Sequence, residues 1–159
     1  MNYLGVDQSL CSTGIVILDT DYKIILQKLI KTEPHQFSTE IERLIHIKNR
    51  VREIIDFYDI KSVYMENFAY GARGASIFTI GGLGYLLREL YYEEKIPLTL
   101  IAPATLKKYA SDKGNCKKNL VLMSILKKWH VEINDDNIAD AYILARMAVA
   151  GYSGIKTHK

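Results

Sequence analysis

Residues 3–31, YLGVDQSLCSTGIVILDTDYKIILQKLIK, contain three apolar stretches that are rich in β-forming residues. The stretches cover residues 3–7, 13–19 and 23–31. The turn-forming sequence Asp19-Thr20-Asp21 separates the second stretch from the third. Short apolar runs bounded by turn residues are typical of neighbouring antiparallel strands. The segment therefore predicts a three-stranded meander at the start of the chain.

Helical and strand patterns alternate after this meander. Thr39 and Glu42 have capping-box spacing, and apolar residues then recur at helical intervals as far as Tyr58. The later predicted elements are a strand at 61–66, a helix at 76–94, a strand at 98–101, a short helix opened by Pro103, and helices at 118–129 and 136–148. This order predicts one α/β domain over residues 1–159, with helices packed on a mixed sheet.

Composition excludes several classes of protein. The chain has 159 residues, of which 48% are apolar and 25% charged, so a globular domain is expected and a disordered segment is not. Cys11 and Cys116 are too few for a disulfide framework, and no Cys/His cluster offers a zinc site. We expect no signal peptide, and no apolar run reaches the length of a membrane span. We expect a cytoplasmic protein with no membrane partner and no organic cofactor.

Three acidic residues lie where the apolar pattern predicts burial. Asp7 ends the first strand, Glu66 ends the fourth, and Asp140 lies on an apolar helix face. Burial of a carboxylate is costly unless the group is paired or binds a metal, so three such residues indicate a shared site. Carboxylate oxygens suit Mg²⁺ or Mn²⁺ better than zinc. Taken singly, each residue could instead be a turn former, a salt-bridge partner or a helix residue at the solvent edge.

Four motifs, in their order and spacing, resemble those of a known family. They are LGVDQS at 4–9 with STG at 12–14, VYMENF at 63–68, PATLKK at 103–108 with the lysines that follow, and IADA at 138–141. The chain resembles the RuvC-type Holliday-junction resolvases, especially bacteriophage versions, among the RNase H-like nucleases. The resemblance covers nearly the whole chain.

The resemblance implies an RNase H-like fold, with a five-stranded mixed sheet of three antiparallel and then two parallel strands, and helices on both faces. It implies a homodimeric, structure-selective DNA endonuclease that resolves four-way junctions in a bacterial or phage-infected cell. Two Mg²⁺ ions, which Mn²⁺ could replace, would be held by Asp7 between them and by Glu66 and Asp140 on either side. The helix at 76–94, which contains several glycines, resembles the helix used for dimer pairing.

One position departs from the family pattern. The family usually has Asp or His three residues before its last aspartate, whereas this chain has Asn137. Asp136, four residues before Asp140, lies on the same helical face and could supply the missing charge. We expect Asn137 to line the catalytic site and keep Asp136 as a second candidate metal ligand.

A basic segment is expected to contact DNA. Residues 101–130 hold seven lysines and one acidic residue, although the net charge of the whole chain is only +3. Lysines that neutralise phosphates release counterions and strengthen binding. The candidate DNA-binding lysines are Lys107, Lys108, Lys113, Lys117 and Lys118. In the loop after Glu66, Arg73 could reach DNA, and Phe68 and Tyr70 could stack on unpaired bases. Packing of the loop on the sheet is the alternative for Phe68.

Three other functions stay open on the sequence alone. Another RNase H-like nuclease, acting on RNA–DNA hybrids or on branched or flapped DNA, would use the same carboxylates. A non-catalytic junction-binding protein is compatible with Asn137. A sugar-kinase or actin-like ATPase also begins with Gly-x-Asp, but it needs two such domains and a much longer chain, and no P-loop is present here.

Overall fold

A mixed sheet with the strand order β3-β2-β1-β4-β5-β6 forms the centre of the fold in a computed structural model that describes residues 1–68 and 73–156. The strands are β1 (Asn2–Asp7), β2 (Ser12–Asp19), β3 (Ile24–Lys31), β4 (Ile60–Glu66), β5 (Leu98–Ile101) and β6 (Ile155–Lys156). The helices are α1 (Glu40–Phe57), α2 (Ser76–Glu93), α3 (Pro103–Ser111), α4 (Lys118–Trp129) and α5 (Asp136–Val149), and a 3₁₀ turn covers Pro34–Gln36.

The predicted five-stranded arrangement is confirmed. Strands β1, β2 and β3 pair antiparallel, while β4 pairs parallel with β1 and β5 pairs parallel with β4. The structure adds β6, which pairs antiparallel with β5 at the edge of the sheet. A two-residue strand is too short to show an alternating pattern, so the sequence did not predict it.

Helices cover both faces of the sheet, as predicted. Leu4 and Val6 of β1 are fully buried on the face that packs against α1 and α2. Tyr3 of β1 and Val16 of β2 belong to the apolar cluster on the opposite face, which includes residues of α3, α4 and α5. A strand buried on both faces is apolar along its whole length, which explains the continuous apolar run that ends at Asp7.

Two glycines let α5 lie directly on the sheet. A Cβ atom on Gly5 would lie 1.9 Å from the carbonyl oxygen of Ala141, and one on Gly14 would lie 2.1 Å from the carbonyl oxygen of Asn137. Because no side chain fits at either position, the first turns of α5 contact the backbone of β1 and β2. This close approach brings Asp140 to the end of β1.

Helix α1 begins at the predicted cap residue Thr39, but the return bond to Glu42 comes from the Ser38 N–H and not from the Thr39 N–H of a capping box. The Thr39 hydroxyl accepts a hydrogen bond from the Glu42 backbone N–H at 3.2 Å, and the Glu42 carboxylate accepts one from the Ser38 N–H at 3.0 Å. Ion pairs then join α1 to α2, between Lys48 and Glu89 at 2.9 Å and between Arg52 and Glu93 at 3.0 Å. The two helices therefore form one layer on this face of the sheet. Within the described residues, none of the helices has the length and apolar character that a bilayer span requires.

Candidate active site

Three carboxylates meet at one edge of the sheet. Asp7 lies at the end of β1, Glu66 at the end of the parallel neighbour β4, and Asp140 in the first half of α5. One oxygen of each of the three side chains lies within 4.8 Å of the other two. Parallel strands end at the same edge of a sheet, and the register that pairs Val6 with Met65 places Asp7 beside Glu66. The structure thus brings together the three acidic residues that the sequence singled out.

Burial raises the pKa values of all three carboxylates, and neighbouring negative charges add to the rise. Burial, together with the charges of Asp140 and Glu66, raises the pKa of Asp7 to about 8. Burial and the charge of Asp140 raise the pKa of Glu66 to about 7, and burial is also the main cause that raises the pKa of Asp140 to about 6. Like charges in a partly desolvated site favour the protonated forms. A divalent cation would relieve this repulsion and allow all three groups to ionise.

Two lysines oppose this accumulation of negative charge. The ammonium group of Lys107, on α3, acts to lower the pKa values of Glu66 and Asp140. Lys118, at the start of α4, acts in the same direction on Asp7 and Asp140. The Lys118 side chain is 77% exposed, so its charge is available at the rim of the site. The carboxylates and the basic segment therefore form one electrostatic unit.

The donor set fits a hard divalent cation. Every ligand atom offered by Asp7, Glu66 and Asp140 is a carboxylate oxygen, and the three residues are half-buried and so still reachable. Oxygen-only sets suit Mg²⁺ and Mn²⁺, whereas zinc prefers nitrogen and sulfur ligands. The carboxylate cluster is compatible with the divalent-cation site that the sequence predicted.

Comparison with known proteins assigns the family. A family model described as crossover junction endodeoxyribonuclease RuvC matches residues 3–149. The chain belongs to the RuvC family. The match runs from β1 through the end of α5, so it includes all three carboxylates.

Curated relatives agree with this assignment. A crossover junction endodeoxyribonuclease RuvC from Prochlorococcus marinus (strain NATL2A) is 28% identical over 150 residues, and the match covers 91% of this chain and 96% of the relative. A protein of the same name from Synechococcus sp. (strain CC9311) is 23% identical over 156 residues, with the same coverage.

Solved structures confirm the RNase H-like fold. The structure of Thermus thermophilus RuvC matches with a TM-score of 0.80 and 18% identity, over 97% of this chain and 99% of that chain. T. thermophilus RuvC in complex with a Holliday junction substrate matches with a TM-score of 0.79 and 18% identity, over 91% of this chain and 90% of that chain.

Asp136 and Asn137 are the two candidates for the additional site residue near Asp140, and their surroundings differ. Asp136 lies outside the group of three carboxylates that the described residues form, and its carboxylate pairs with the Lys118 ammonium at 2.9 Å. Asn137 is half-buried, and its backbone carbonyl lies against Gly14 of β2. The first turn of α5 is therefore fixed to the sheet at Asn137, whereas Asp136 faces the basic segment.

The remaining predicted lysines belong to α3, to the start of α4 and to the segment between these helices. Lys108 is an exposed residue of α3, Lys113 and Lys117 are exposed in the segment that joins α3 to α4, and Lys118 opens α4. Arg73 is exposed just before α2. Tyr70 lies outside the described residues.

Phe68 packs against α2. The centre of its ring lies 4.8 Å from the Arg88 guanidinium carbon and 6.2 Å from the centre of the Tyr85 ring. A Cβ atom on Gly84 would lie 2.6 Å from the Phe68 ring, so this glycine admits the ring against the helix. The ring therefore packs on α2, not on the sheet as the packing alternative had it. Stacking on a base stays a prediction.

Gln8 is a site residue that sequence reasoning missed. Its Nε2 donates a hydrogen bond to the backbone carbonyl of Glu66 at 3.3 Å, and so it links the ends of β1 and β4 directly beside the carboxylates. Its position in the sequence could have identified Gln8. A residue that directly follows a carboxylate at the end of a strand lies at the same edge of the sheet as that carboxylate. Gln8 helps to hold the separation of Asp7 from Glu66.

Proposed function

We propose that this chain is a Mg²⁺-dependent, structure-selective DNA endonuclease that resolves four-way junctions as a homodimer. The observation that carries the proposal is the meeting of Asp7, Glu66 and Asp140 within 4.8 Å at a half-buried sheet edge. Membership of the RuvC family and the likeness in fold to a RuvC bound to a Holliday junction substrate support the choice of substrate. Action in the cytoplasm of a bacterial or phage-infected cell belongs to the same proposal.

The proposed mechanism assigns a role to each acidic side chain. The carboxylate oxygens of Asp7, Glu66 and Asp140 lie within 4.8 Å of one another. Asp7 would be a ligand of both proposed Mg²⁺ ions, and Glu66 and Asp140 would each be a ligand of one. Bound divalent cations would supply an activated water and charge stabilisation for the departing 3′ oxygen. Lys107 and Lys118 would hold the phosphates that flank the cut, because their charges already act on the carboxylate group.

A panel of substrates tests this function. Labelled four-way junction, flapped DNA, plain duplex and RNA–DNA hybrid are incubated with the protein, with and without Mg²⁺. We expect the junction to be cut fastest, and only when Mg²⁺ is present. Faster cutting of the hybrid or the flap would assign another RNase H-like activity, and tight junction binding with no cutting in Mg²⁺ or Mn²⁺ would indicate a non-catalytic binder.

The Asp136→Ala variant is expected to keep most of the wild-type cleavage rate, because Asp136 pairs with Lys118 and lies outside the carboxylate group. Asn137→Asp should instead lower the Mg²⁺ concentration that gives half-maximal cleavage, since it adds a charged oxygen ligand at the family's usual position. Both are measured as cleavage rate against Mg²⁺ concentration. A loss of tenfold or more in Asp136→Ala would make Asp136 a metal ligand and contradict this assignment.

The Lys107→Ala variant should bind junction DNA more weakly and with a smaller dependence on salt. One lost phosphate contact lowers the slope of log affinity against log salt by about 1. Fluorescence anisotropy at several salt concentrations measures this slope. Lys127→Ala is the matched control, because Lys127 is an exposed lysine of α4 outside the proposed phosphate contacts. Equal slopes for wild type and Lys107→Ala would exclude Lys107 as a phosphate contact.

We propose that the dimer forms through the outer face of α2. Phe78 and Tyr85 lie seven residues apart on this helix and are 84% and 65% exposed. Two large apolar side chains on one exposed stripe favour association through a two-fold axis, which also matches the symmetry of a junction.

The Phe78→Glu variant is therefore expected to shift the solution mass from about twice 18.1 kDa to about 18.1 kDa in light scattering. Phe57→Glu is the control, because Phe57 is 80% exposed at the end of α1 and outside α2. A wild-type protein that stays monomeric, or a dimer that survives Phe78→Glu, would overturn this interface.

A further inference from the structure

Three of the four buried polar or charged side chains among the described residues converge on one loop, which covers residues 8–11 between β1 and β2. They are Thr13 and Thr32, which are almost fully buried, and Arg43, which is 7% exposed. Burial of a polar group costs free energy unless its hydrogen bonds are satisfied. The loop that directly follows Asp7 is therefore held by groups that the core admits only at a cost.

The Arg43 guanidinium joins the loop to α1 and to the end of β3. Its Nη2 donates to the Leu10 carbonyl at 2.7 Å and to the Thr32 carbonyl at 3.2 Å, and its Nε donates to the Thr32 hydroxyl at 2.9 Å. The Cys11 sulfur lies 3.4 Å from the same Nη2. The donors of a guanidinium have fixed directions, so Arg43 holds the Leu10 carbonyl in one place relative to β3.

The two buried threonines complete this network. The Thr32 hydroxyl donates to the Leu10 carbonyl, and the Thr32 N–H donates to the Cys11 carbonyl at 3.0 Å. At the β2 end of the loop, the Thr13 hydroxyl donates to the Ser9 carbonyl at 2.7 Å. The carbonyls of the last three loop residues therefore all accept hydrogen bonds, and these bonds hold the loop in one conformation.

The loop is connected to the carboxylates through its first residue. Gln8 directly follows Asp7, and its Nε2 donates to the Glu66 carbonyl at 3.3 Å. Asp7 is the last residue of β1 and pairs with Gly14 of β2. Because the chain runs from Asp7 through Gln8 to Leu10, a shift of Leu10 moves Gln8 and changes the separation of the ends of β1 and β4.

We propose that Arg43 is a positioning residue for Asp7. By holding the loop, it fixes the distance between the Asp7 and Glu66 carboxylates and thereby raises the affinity of the site for a divalent cation. The inference rests on the proposed function. Metal ligands need to lie within about 0.5 Å of their productive geometry, and loss of a group that supports a ligand typically lowers metal affinity by about 10- to 100-fold. Arg43 itself is buried, so it acts through the loop and contacts neither the metal nor DNA.

Thr32 offers a matched pair of variants for testing this role. Thr32→Val removes the hydroxyl that joins Arg43 to the loop, and it keeps the branched shape of the side chain. Thr32→Ser keeps the hydroxyl and removes only a methyl group. Arg43→Met removes the guanidinium itself and keeps an unbranched apolar chain.

Two variants of α1 serve as controls, because they leave the hydrogen bonds of the loop intact. Arg50→Met removes a guanidinium that pairs with Glu53 on the surface of the helix. Val51→Ala removes two methyl groups from a fully buried side chain of the core, so it lowers Tm without touching the loop.

The affinity for Mn²⁺ is measured on the DNA-free protein by electron paramagnetic resonance of the unbound ion, with Asp7→Asn as the reference for a lost site. We expect Arg43→Met and Thr32→Val to weaken Mn²⁺ binding about tenfold, and to raise the Mg²⁺ concentration for half-maximal junction cleavage by a similar factor. Thr32→Ser and both control variants should keep the wild-type affinity. The double variant Arg43→Met/Thr32→Val should lose little more than either single variant, because both changes break one network.

Each result of this test has one meaning. Wild-type Mn²⁺ affinity in Arg43→Met and Thr32→Val overturns the positioning role while junction cutting itself stands. An equal loss of affinity in Val51→Ala or in Thr32→Ser overturns it as well, because the effect would then follow from lower stability or altered packing. If Arg43→Met does not fold, the two Thr32 variants decide alone. A wild-type protein that neither binds Mn²⁺ nor cuts the junction overturns the proposed function instead.

Discussion

Replacing Asp7 with asparagine is expected to lower Mg²⁺-dependent junction cleavage by at least about 10³-fold. Asp7 lies beside both Glu66 and Asp140, and it would share its charge between the two proposed Mg²⁺ ions. An amide keeps the shape of the side chain and removes the negative charge, so the metal ligand is lost and the packing is kept. The rate of cleavage of a labelled junction in saturating Mg²⁺ measures the effect.

Junction binding by Asp7→Asn should be unimpaired, since the substitution removes a negative charge from a site that approaches phosphates. Asp112→Asn is the matched control. Asp112 is an exposed acidic residue of the basic segment, at the end of α3, with φ of 62°. Asparagine also tolerates this left-handed conformation, so the control should fold and cut normally. An Asp7→Asn protein that cuts within tenfold of the wild-type rate would remove Asp7 from the metal site.

The metal-free protein is expected to lose stability as the pH rises from about 4 to about 8. Burial and the charges of Asp140 and Glu66 raise the pKa of Asp7 from 3.8 to about 8. Between these values the folded protein holds a proton that the unfolded chain has released, so the free energy of unfolding falls as the pH rises. Each proton that only the folded state holds lowers the free energy of unfolding by about 1.4 kcal/mol per pH unit. Glu66, whose pKa is raised to about 7, contributes in the same direction up to about pH 7.

Thermal unfolding across this pH range, in EDTA and in Mg²⁺, measures the effect. In EDTA the loss of stability should be clear in wild type and smaller in Asp7→Asn, which has no proton to release at that position. Mg²⁺ should raise Tm more at about pH 8 than at about pH 5, because the cation binds the ionised carboxylates. Stability that rises with pH over this range in EDTA, in wild type but not in Asp7→Asn, would contradict the raised pKa of Asp7.

Much of the fold could be predicted because its signals are local. The strands β1 and β2 are buried on both faces, which gives uninterrupted apolar runs, and Asp7 and Glu66 stand out as charged residues at the ends of such runs. Helix boundaries followed from the Thr39 cap and from Pro103. The meeting of Asp7 with Glu66 then follows from the parallel pairing of β1 with β4.

Features that depend on tertiary packing could not be predicted. Gly5 and Gly14 looked like ordinary strand and turn glycines, yet each is required because α5 lies against its backbone. Arg43 is a charged residue of α1, and its charge predicts a solvent-facing side chain. It is instead buried, and its guanidinium donates to the Leu10 carbonyl at 2.7 Å and to the Thr32 hydroxyl at 2.9 Å. Its role in anchoring the loop after Asp7 is visible only in three dimensions.

A cavity of about 400 Å³ beside Asp7 and Glu66 also depends on tertiary packing and could not be predicted from the sequence. Ile77 and Ile80 have the spacing of core residues, and Gly81 is one of the glycines in the helix that resembles the family's dimer-pairing helix. In the structure these three residues line open space next to Asp7 and Glu66. Helical periodicity indicates which side of a helix is apolar, but it does not indicate whether that side is filled by the protein.

Mapping the nicks in a four-way junction tests the central claim most directly. Each strand is end-labelled in turn, the junction is incubated with wild-type protein and Mg²⁺, and the products are sized at nucleotide resolution. The account predicts paired nicks at symmetric positions in two opposed strands near the branch point, none in EDTA, and none with Asp7→Asn. Nicks spread along the duplex arms, or cutting that is independent of both Mg²⁺ and Asp7, would contradict it.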